Sequence, residues 1–345
     1  MDAPGEKVLI KILDAFERGT GALLLPWQIK RVSTARALAR RDELLMLEQA
    51  RKDIADIKSG QKRLTYEGAL QLLQDTKDEQ SQEAASVSPH KGTSSPLNNL
   101  LKEHKIDFTV RELERWVNLK EIGLKAEEEA EDVTDEDVSS DPIDPDWFSR
   151  WRIEAQEVSK DELQRLWARV LAGEARNPGS YSLHTLSFLA RMSIDEAKLI
   201  ARVAPFRLDK SHIYARANDF LEKKGIHFAE LLTLEDIGVI NGALGIGTLS
   251  WVYPVHKMNG ETYAAIKNND LALVLYVDEN TKKIDIPIYS ISKVGSEIMT
   301  LGNFTGDREY LCEIAKNERK KFRSASIGKL KGTNWISDLE VIECD

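Results

Sequence analysis

The stretch from Asp144 to Phe206 constrains the fold most, because several independent helix signals agree within it. Asp144 followed by Pro145 predicts a helix start, since an aspartate side chain accepts hydrogen bonds from free amides and proline has no amide hydrogen to donate. Residues 159–162 and 193–196 each have the spacing of a capping box, in which a serine and a glutamate satisfy backbone donors at a helix start. The stretch therefore predicts consecutive, packed helices.

The predicted helices of this stretch carry apolar residues at helical spacing. After the first box these residues form one stripe, and we expect them to share a core with Leu186 of the next helix, which Ser182 can cap: Leu163, Leu166, Trp167, Val170 and Leu171. Trp147 and Trp151 precede them. We interpret both tryptophans as core residues rather than an exposed ligand site, because large aromatic side chains are mostly buried.

The run LQRLWARVLAGEARNPGSYSLHTLSFLARMSIDEAKLI, residues 163–200, resembles a family of bacterial domains of unknown function. It resembles more distantly the alpha-type abortive-infection proteins, in which a similar LW-A-LLAGE helix precedes an LS-DEAK helix. The resemblance covers the centre of the chain. It implies no catalytic residues, and the second family implies a role in phage defence by association only.

Length and composition predict a multidomain, cytoplasmic protein. A chain of 345 residues exceeds one typical core, and a hydrophobic fraction of 42% is that of a globular protein. Cys312 and Cys344 are too few and too far apart for a disulfide scaffold, which fits a reducing compartment. No secretory signal or run of about 18 apolar residues is present, so we expect no membrane span.

Shifts in composition predict a mainly α, multidomain fold: a central helical bundle followed by a winged-helix-like α+β module. Apolar runs such as Leu271 to Val277 predict strands after Phe206, and helices precede and follow them. The predicted segments are a basic helical arm at 1–74, a flexible linker at 75–100, a helical segment at 101–125, an acidic linker at 126–143, a central helical domain at 144–225 and the α+β module at 226–345.

A long helix from Pro26 to Ile57 is predicted within the basic arm. Its candidate interaction face is formed by Trp27, Lys30, Arg31, Arg36, Arg40 and Arg41. Interleaved acids such as Asp42 and Glu43 favour the solvated face of an intramolecular or self-associating helix. Peripheral contact with anionic lipid, through residues 23–27, and phosphate contact with nucleic acid are the alternatives.

Known catalytic and cofactor motifs are not found. The glycines of GALGIG, residues 242–247, precede a predicted strand, whereas a dinucleotide site places them between a strand and a helix. Gly328-Lys329 lacks the upstream glycine of a P-loop, and the acidic run lacks the glycine and glutamate of a calcium loop. The six histidines show no paired-ligand spacing and are predicted to be surface or capping residues. No cofactor, metal ion, catalytic residue or small-molecule substrate is therefore assigned.

These observations favour a non-enzymatic, cytosolic interaction protein that forms a homo-oligomer or binds a protein partner, with a link to phage defence. Two alternatives stay open. One is a nucleic-acid-binding regulator that uses the C-terminal module. The other is a metal-dependent hydrolase or nuclease whose site is assembled from dispersed acids.

Overall fold

The structure is a computed structural model, and it describes residues 5–20, 36–64, 70–72, 96–131, 138–245, 249–258, 260–331 and 335–342. The chain divides into two compact units, Met1–Ser180 and Tyr181–Asp345. About 54% of the described residues are helical and about 21% are in strands, so the predicted mainly α class with a β-containing C-terminal region is confirmed. Apart from the linker boundaries next to the helix Pro96–Glu131, the finer division into six segments stays a prediction. Of the predicted linker at 75–100, residues 75–95 lie outside the described residues and residues 96–100 begin this helix.

The described part of the first unit is helical except for one short hairpin. Its elements are α1 Glu6–Thr20, α2 Arg36–Lys58, β1 Lys62–Leu64, β2 Leu70–Leu72, α3 Pro96–Glu131, α4 Pro145–Ala155 and α5 Asp161–Arg176. Strands β1 and β2 pair with each other in antiparallel register.

Helices α2 and α3 pack against each other through a heptad-spaced apolar seam. Leu47 and Ile54 of α2 are seven residues apart, and they share one buried cluster with α3 residues that repeat at the same interval, namely Val110, Val117 and Leu124. A seven-residue repeat on both helices is the pattern that keeps two helices in register along their length. The apolar side of α2 is thus filled from within the chain.

A second core in this unit joins α1, α4 and α5. The Phe16 ring of α1 stands edge-on to Phe148 and Trp151 of α4, with centroid distances of 5.2 and 5.9 Å. Trp147, Trp151 and Trp167 are buried, so the interpretation of the tryptophans as core residues is confirmed. Asp144 begins α4 as predicted, because its carboxylate accepts from the amides of residues 146 and 147 at 2.8 and 2.9 Å.

Two local predictions in the first unit are wrong. Helix α5 begins at Asp161 after Lys160, without a side-chain cap from Ser159, because the buried Gln164 amide donates to the Val158 carbonyl at 2.9 Å and fixes this turn instead. Trp167, Val170 and Leu171 are buried as expected, whereas Leu163 and Leu166 are half-buried.

The acidic run is partly helical rather than a linker. Helix α3 continues to Glu131, beyond the predicted boundary at residue 125. Glutamate favours helices, and Ala126 and Ala130 are fully buried on the same helix, so burial of one side outweighs the repulsion among the acids. The acids of the run up to Glu131 are therefore carried on the other sides of α3.

The second unit combines helices with two antiparallel sheets. Its helices are α6 Leu183–Leu189, α7 Ile194–Val203, α8 Asn218–Lys223, α9 Phe228–Asp236, α10 Lys293–Met299 and α11 Arg308–Asn317, with 3-10 turns at Ala204–Phe206 and Arg319–Lys321. Its strands are β3 His212–Tyr214, β4 Ile240–Asn241, β5 Leu249–Pro254, β6 His256–Met258, β7 Glu261–Asn268, β8 Leu271–Tyr276, β9 Lys283–Ile291, β10 Ser324–Lys331 and β11 Trp335–Ile342. One sheet has the order β11-β10-β8-β7-β6, and in the other β9 pairs with β3, β4 and β5.

The predicted caps of α6 and α7 are confirmed. Ser182 accepts from the Thr185 amide at the start of α6, and Leu186 of this helix is buried. Ser193 and Glu196 form the complete capping box of α7, with distances of 2.6 and 3.2 Å. The core of this unit lies between the helices and the buried sides of β7, β8 and β9, where apolar residues such as Leu273 are fully buried.

Candidate functional site

The cations on one side of α2 are matched by acids of α3. Arg40 pairs with Glu128, Arg51 with Glu121, and Lys58 with Glu114 at 2.5 Å. The α3 partners are seven residues apart, and their order is reversed relative to α2, so the two helices run antiparallel. Exposed ion pairs of this kind contribute little stability singly, about 0–1 kcal/mol each. Their effect is to neutralise this side of the basic arm within the chain.

The structure places the six residues of the predicted interaction face differently. Trp27, Lys30 and Arg31 lie outside the described residues, and Arg36 begins α2 with its side chain undescribed. Arg40 faces α3, as its ion pairs show. Arg41 points to solvent: 68% of its side chain is exposed, and it pairs with the adjacent Asp42 at 3.4 Å. The interaction face itself stays a prediction.

Arg41 belongs to an exposed strip of α2 that we call the outer stripe. The outer stripe consists of Arg41, Leu44, Leu45, Glu48 and Lys52. Residues at these intervals lie on one side of a helix. Leu44 is 51% exposed and Leu45 is 61% exposed, which is unusual for two adjacent leucines on a helix whose seam is already filled. The stripe therefore presents two leucines between a cation and an anion.

In the second unit, a buried hydrogen-bonded cluster surrounds the tight turn that leads into β3. His212 is fully buried, and its Nε2 lies 2.5 Å from the Tyr253 hydroxyl, which donates to Asp209 Oδ2 at 2.8 Å. The Ser211 hydroxyl lies 2.9 Å from His212 Nδ1. The imidazole also stacks on the half-exposed Trp251 ring at a centroid distance of 5.1 Å.

The donors in this cluster have one consistent order. Because Tyr253 donates its only hydrogen to the Asp209 carboxylate, His212 Nε2 must carry the ring hydrogen, and Nδ1 accepts from Ser211. Burial lowers the pKa of His212 from 6.5 to about 4, so the ring is neutral at pH 7. Burial also raises the pKa of Asp209, while the Tyr253 hydrogen bond opposes that rise. Chemically, the cluster can hold a neutral imidazole and relay a proton between Ser211 and Asp209.

The turn itself is strained. Asp209 and Lys210 have φ values of 47° and 63°, a region that residues with a side chain rarely occupy. Such strain and shifted pKa values both tend to occur at functional sites, although structural networks produce them too. The prediction that His212 is a surface or capping residue is wrong. The one sequence signal that favoured burial of His212 is its position directly before the apolar residues Ile213 and Tyr214.

The described part of the glycine-rich loop binds a carboxylate of this chain. The amides of Gly242 and Leu244 donate to the two carboxylate oxygens of Glu235 at 2.9 and 2.7 Å. These backbone hydrogen bonds lower the pKa of Glu235, and the bond from Gly242 has the largest effect. The amides of Gly242 and Leu244 are thus occupied from within the chain.

The described residues also bear on metal binding and on membrane spanning. No three or more His, Cys, Asp or Glu side chains among the described residues lie where they could hold a metal ion. None of the described helices is both long and apolar enough to cross a membrane.

Comparison with known proteins gives one match. A family model described as a protein of unknown function (DUF2806) matches residues 108–212, which is less than a third of the chain. The match contains the run at 163–200, so the predicted similarity to a domain family of unknown function is confirmed. It extends from α3 to the first residue of β3. No curated protein and no solved structure matches the chain.

Proposed function

We propose that this protein is a non-enzymatic interaction protein that self-associates through the outer stripe of α2. The observation that supports this function is the pair of half-exposed leucines, Leu44 and Leu45, on a helix whose buried side already packs against α3. Exposed adjacent leucines cost free energy in water, and a protein partner that covers them recovers it.

A second copy of the chain fits the charges of the outer stripe. When two α2 helices run antiparallel about a two-fold axis between Leu44 and Leu45, Arg41 of each copy lies opposite Glu48 of the other. The leucines of the two copies then meet at the centre. A two-fold interface requires this kind of self-complementary patch. The patch is short, so the dimer is weak and its population depends on protein concentration.

The ion pairs between α2 and α3 argue against nucleic acid as the partner of this helix. A phosphate backbone is bound by cations that release counterions, and an acid placed beside each cation removes most of that gain. Arg40, Arg51 and Lys58 each have such an acid on α3. Lipid contact through residues 23–27 falls outside the described residues and becomes an outcome of the tests below.

A second candidate function is nucleic-acid binding by the C-terminal unit, as a winged-helix-like regulator. The segment Lys316–Lys331 contains seven basic residues and one acid, Glu318, which is buried. Lys316, Lys320, Lys329 and Lys331 are exposed. An electrophoretic mobility shift of DNA tests this candidate. Binding of DNA that weakens steeply as the salt concentration rises would favour it over self-association.

Phage defence and a cytosolic location complete the proposal, and both rest on sequence. The similarity of the central run to abortive-infection proteins supports the first by association. Growth of expressing and non-expressing cells under phage challenge tests it. An interaction protein that acts in defence should lose its effect when the outer stripe is altered.

The direct test of self-association is the mass of the full chain measured by light scattering over a range of concentrations. Leu45→Gln should weaken the dimer at least about tenfold, because each copy loses a central apolar contact. Met46→Gln is the matched control, since Met46 is 48% exposed but lies on another side of α2. A wild-type protein that is monomeric at all concentrations, or equal effects of the two variants, would contradict the proposal.

Point substitutions are preferable to deletion of residues 1–60. Such a deletion removes α2 and uncovers Val110, Val117 and Leu124 of α3. The new apolar surface would itself promote association, so a mass change could not be attributed to the outer stripe. The lipid alternative would instead be favoured if the Arg41→Gln protein keeps the oligomer mass of the wild type but no longer floats with liposomes.

A further inference from the structure

Arg207, between the 3-10 turn at Ala204–Phe206 and β3, is a buried cation that has no acidic partner in the described part of the chain. The residue is 7% exposed. Its Nη2 donates to the neutral side-chain oxygen of Asn269 at 3.2 Å, and its Nη1 is buried with no hydrogen-bond partner among the described residues. Burial lowers the pKa of this guanidinium, and no carboxylate of the described chain offsets the effect.

Two other buried charges among the described residues have partners of opposite charge. Glu318, 2% exposed, accepts from the Tyr214 hydroxyl at 2.8 Å and pairs with Lys321 at 2.6 Å. Lys120 in the first unit pairs with Glu43 at 3.0 Å. Buried charges are normally paired, because the loss of hydration is otherwise not offset. Arg207 therefore differs from these two buried charges, because it has no carboxylate partner among the described residues.

The Asn269 side chain connects the guanidinium to residues nearer the surface. Its oxygen accepts from Arg207, and its nitrogen donates to the Ala204, Pro205 and Thr305 carbonyls at 3.3, 3.1 and 3.4 Å. Thr305 is exposed, and Pro205 and Asn269 are half-buried. Asn269 adopts a φ of 51°, which is uncommon for a residue with a side chain. An anion that binds the guanidinium would replace the Asn269 oxygen as the acceptor for Nη2.

We propose that Arg207 binds the phosphate or carboxylate group of a small molecule that enters beside Asn269. A guanidinium is suited to this role because its planar fork donates two parallel hydrogen bonds to two oxygens of one anion. An oxyanion supplies both the missing negative charge and an acceptor for Nη1. This site is separate from the outer stripe and does not depend on the proposed self-association.

The test measures binding of inorganic phosphate and of succinate to the full chain, with chloride at equal ionic strength as reference. Phosphorus NMR line broadening reports phosphate directly, and the shift in unfolding temperature reports both anions. The two arms distinguish a phosphate ligand from a carboxylate ligand. Saturable binding of either anion above chloride is expected for the wild type and for Lys210→Met, which removes an exposed cation of the same turn.

Arg207→Met should weaken that binding about tenfold to a hundredfold, because charge-assisted hydrogen bonds are lost. Without an anion it should be at least as heat-stable as the wild type, since an apolar side chain replaces an unpaired charge. Arg207→Lys keeps the charge but loses the fork, and it should bind more weakly than wild type. Equal binding by Arg207→Met and wild type, no binding of either anion by wild type, or failure of Arg207→Met to fold would each overturn the proposal.

Discussion

The indole nitrogen of Trp151 donates a hydrogen bond to the main-chain carbonyl of Trp167 at 3.1 Å. This contact joins α4 to α5 through two tryptophans whose side chains are both fully buried, in the chain's most predictable region. It also satisfies the one polar atom that a buried tryptophan brings into a core. The contact therefore marks the centre of the helical packing in this unit.

Trp167→Ala should lower the free energy of unfolding by about 3–5 kcal/mol, because the substitution leaves a cavity in a close-packed core. Chemical denaturation followed by circular dichroism measures the loss. Ile153→Ala is the matched control, since Ile153 lies on α4 but is 47% exposed, and it should cost less than about 1 kcal/mol. Comparable losses in the two variants would show that Trp167 is not a core residue.

Much of the first unit could be predicted from sequence, because its signals are local. The cap at Asp144 and the buried tryptophans follow from residues a few positions apart. The start of α5 could not be predicted, because it depends on where the side chain of Gln164 turns in the folded state. The pairing of Arg40 with Glu128 joins residues far apart in the chain, so sequence indicated a mixed-charge helix without identifying its partner.

His212 should make stability depend on pH below neutrality. Burial holds its pKa near 4 in the folded protein, whereas the unfolded chain has the ordinary value of 6.5. The unfolded state therefore binds a proton first as pH falls. The contribution is fully present above pH 6.5 and is lost as pH falls towards 4, which amounts to about 3 kcal/mol. The raised pKa of Asp209 acts in the opposite direction, because protonation of its buried carboxyl favours the folded state.

The comparison of wild type with His212→Gln isolates this contribution. Urea denaturation at pH 7 and at pH 4 gives the free energy of unfolding for each protein. The advantage of wild type over His212→Gln should shrink by about 3 kcal/mol between the two values, since Asp209 titrates in both proteins. An advantage that does not change with pH would mean that the imidazole is not held neutral by burial.

Gly328 is required by an irregularity in the edge strand β11. The pairing of β10 with β11 shifts register between Ile327 and Lys329, and Asp338 on β11 adopts a φ of 53°. A side chain at Gly328 would come within 2.6 Å of the Ile336 side chain and 2.7 Å of the Ser337 carbonyl. Such a bulge also discourages pairing of the edge with other chains.

Gly328→Ala should therefore lower the free energy of unfolding by about 1–3 kcal/mol, because the strand must move to admit a methyl group. Lys329→Ala, at the exposed neighbouring position, should change it by less than about 0.5 kcal/mol. Thermal or urea denaturation of both variants provides the comparison. A fully stable Gly328→Ala protein would show that β11 can shift without cost.

The sites of the second unit were the least predictable from sequence. His212, Tyr253 and Asp209 come together because β3 and β5 both pair with β9, and such pairings between distant strands leave no local pattern. The burial of Arg207 depends likewise on the Asn269 turn. By contrast, the strands around Leu271 and the capping box at Ser193 could be predicted, since their signals lie within a few residues.

The most direct test of self-association exchanges the charges at the ends of the outer stripe. In the proposed antiparallel pair, Arg41→Glu places two acids opposite each other at both ends, and Glu48→Arg places two cations there. Each single variant should weaken the dimer about tenfold, as measured by light scattering of the full chain, and the double variant should restore wild-type affinity to within about threefold. Single variants that leave the mass unchanged, or a double variant as weak as the singles added together, would contradict the pairing of α2 with α2.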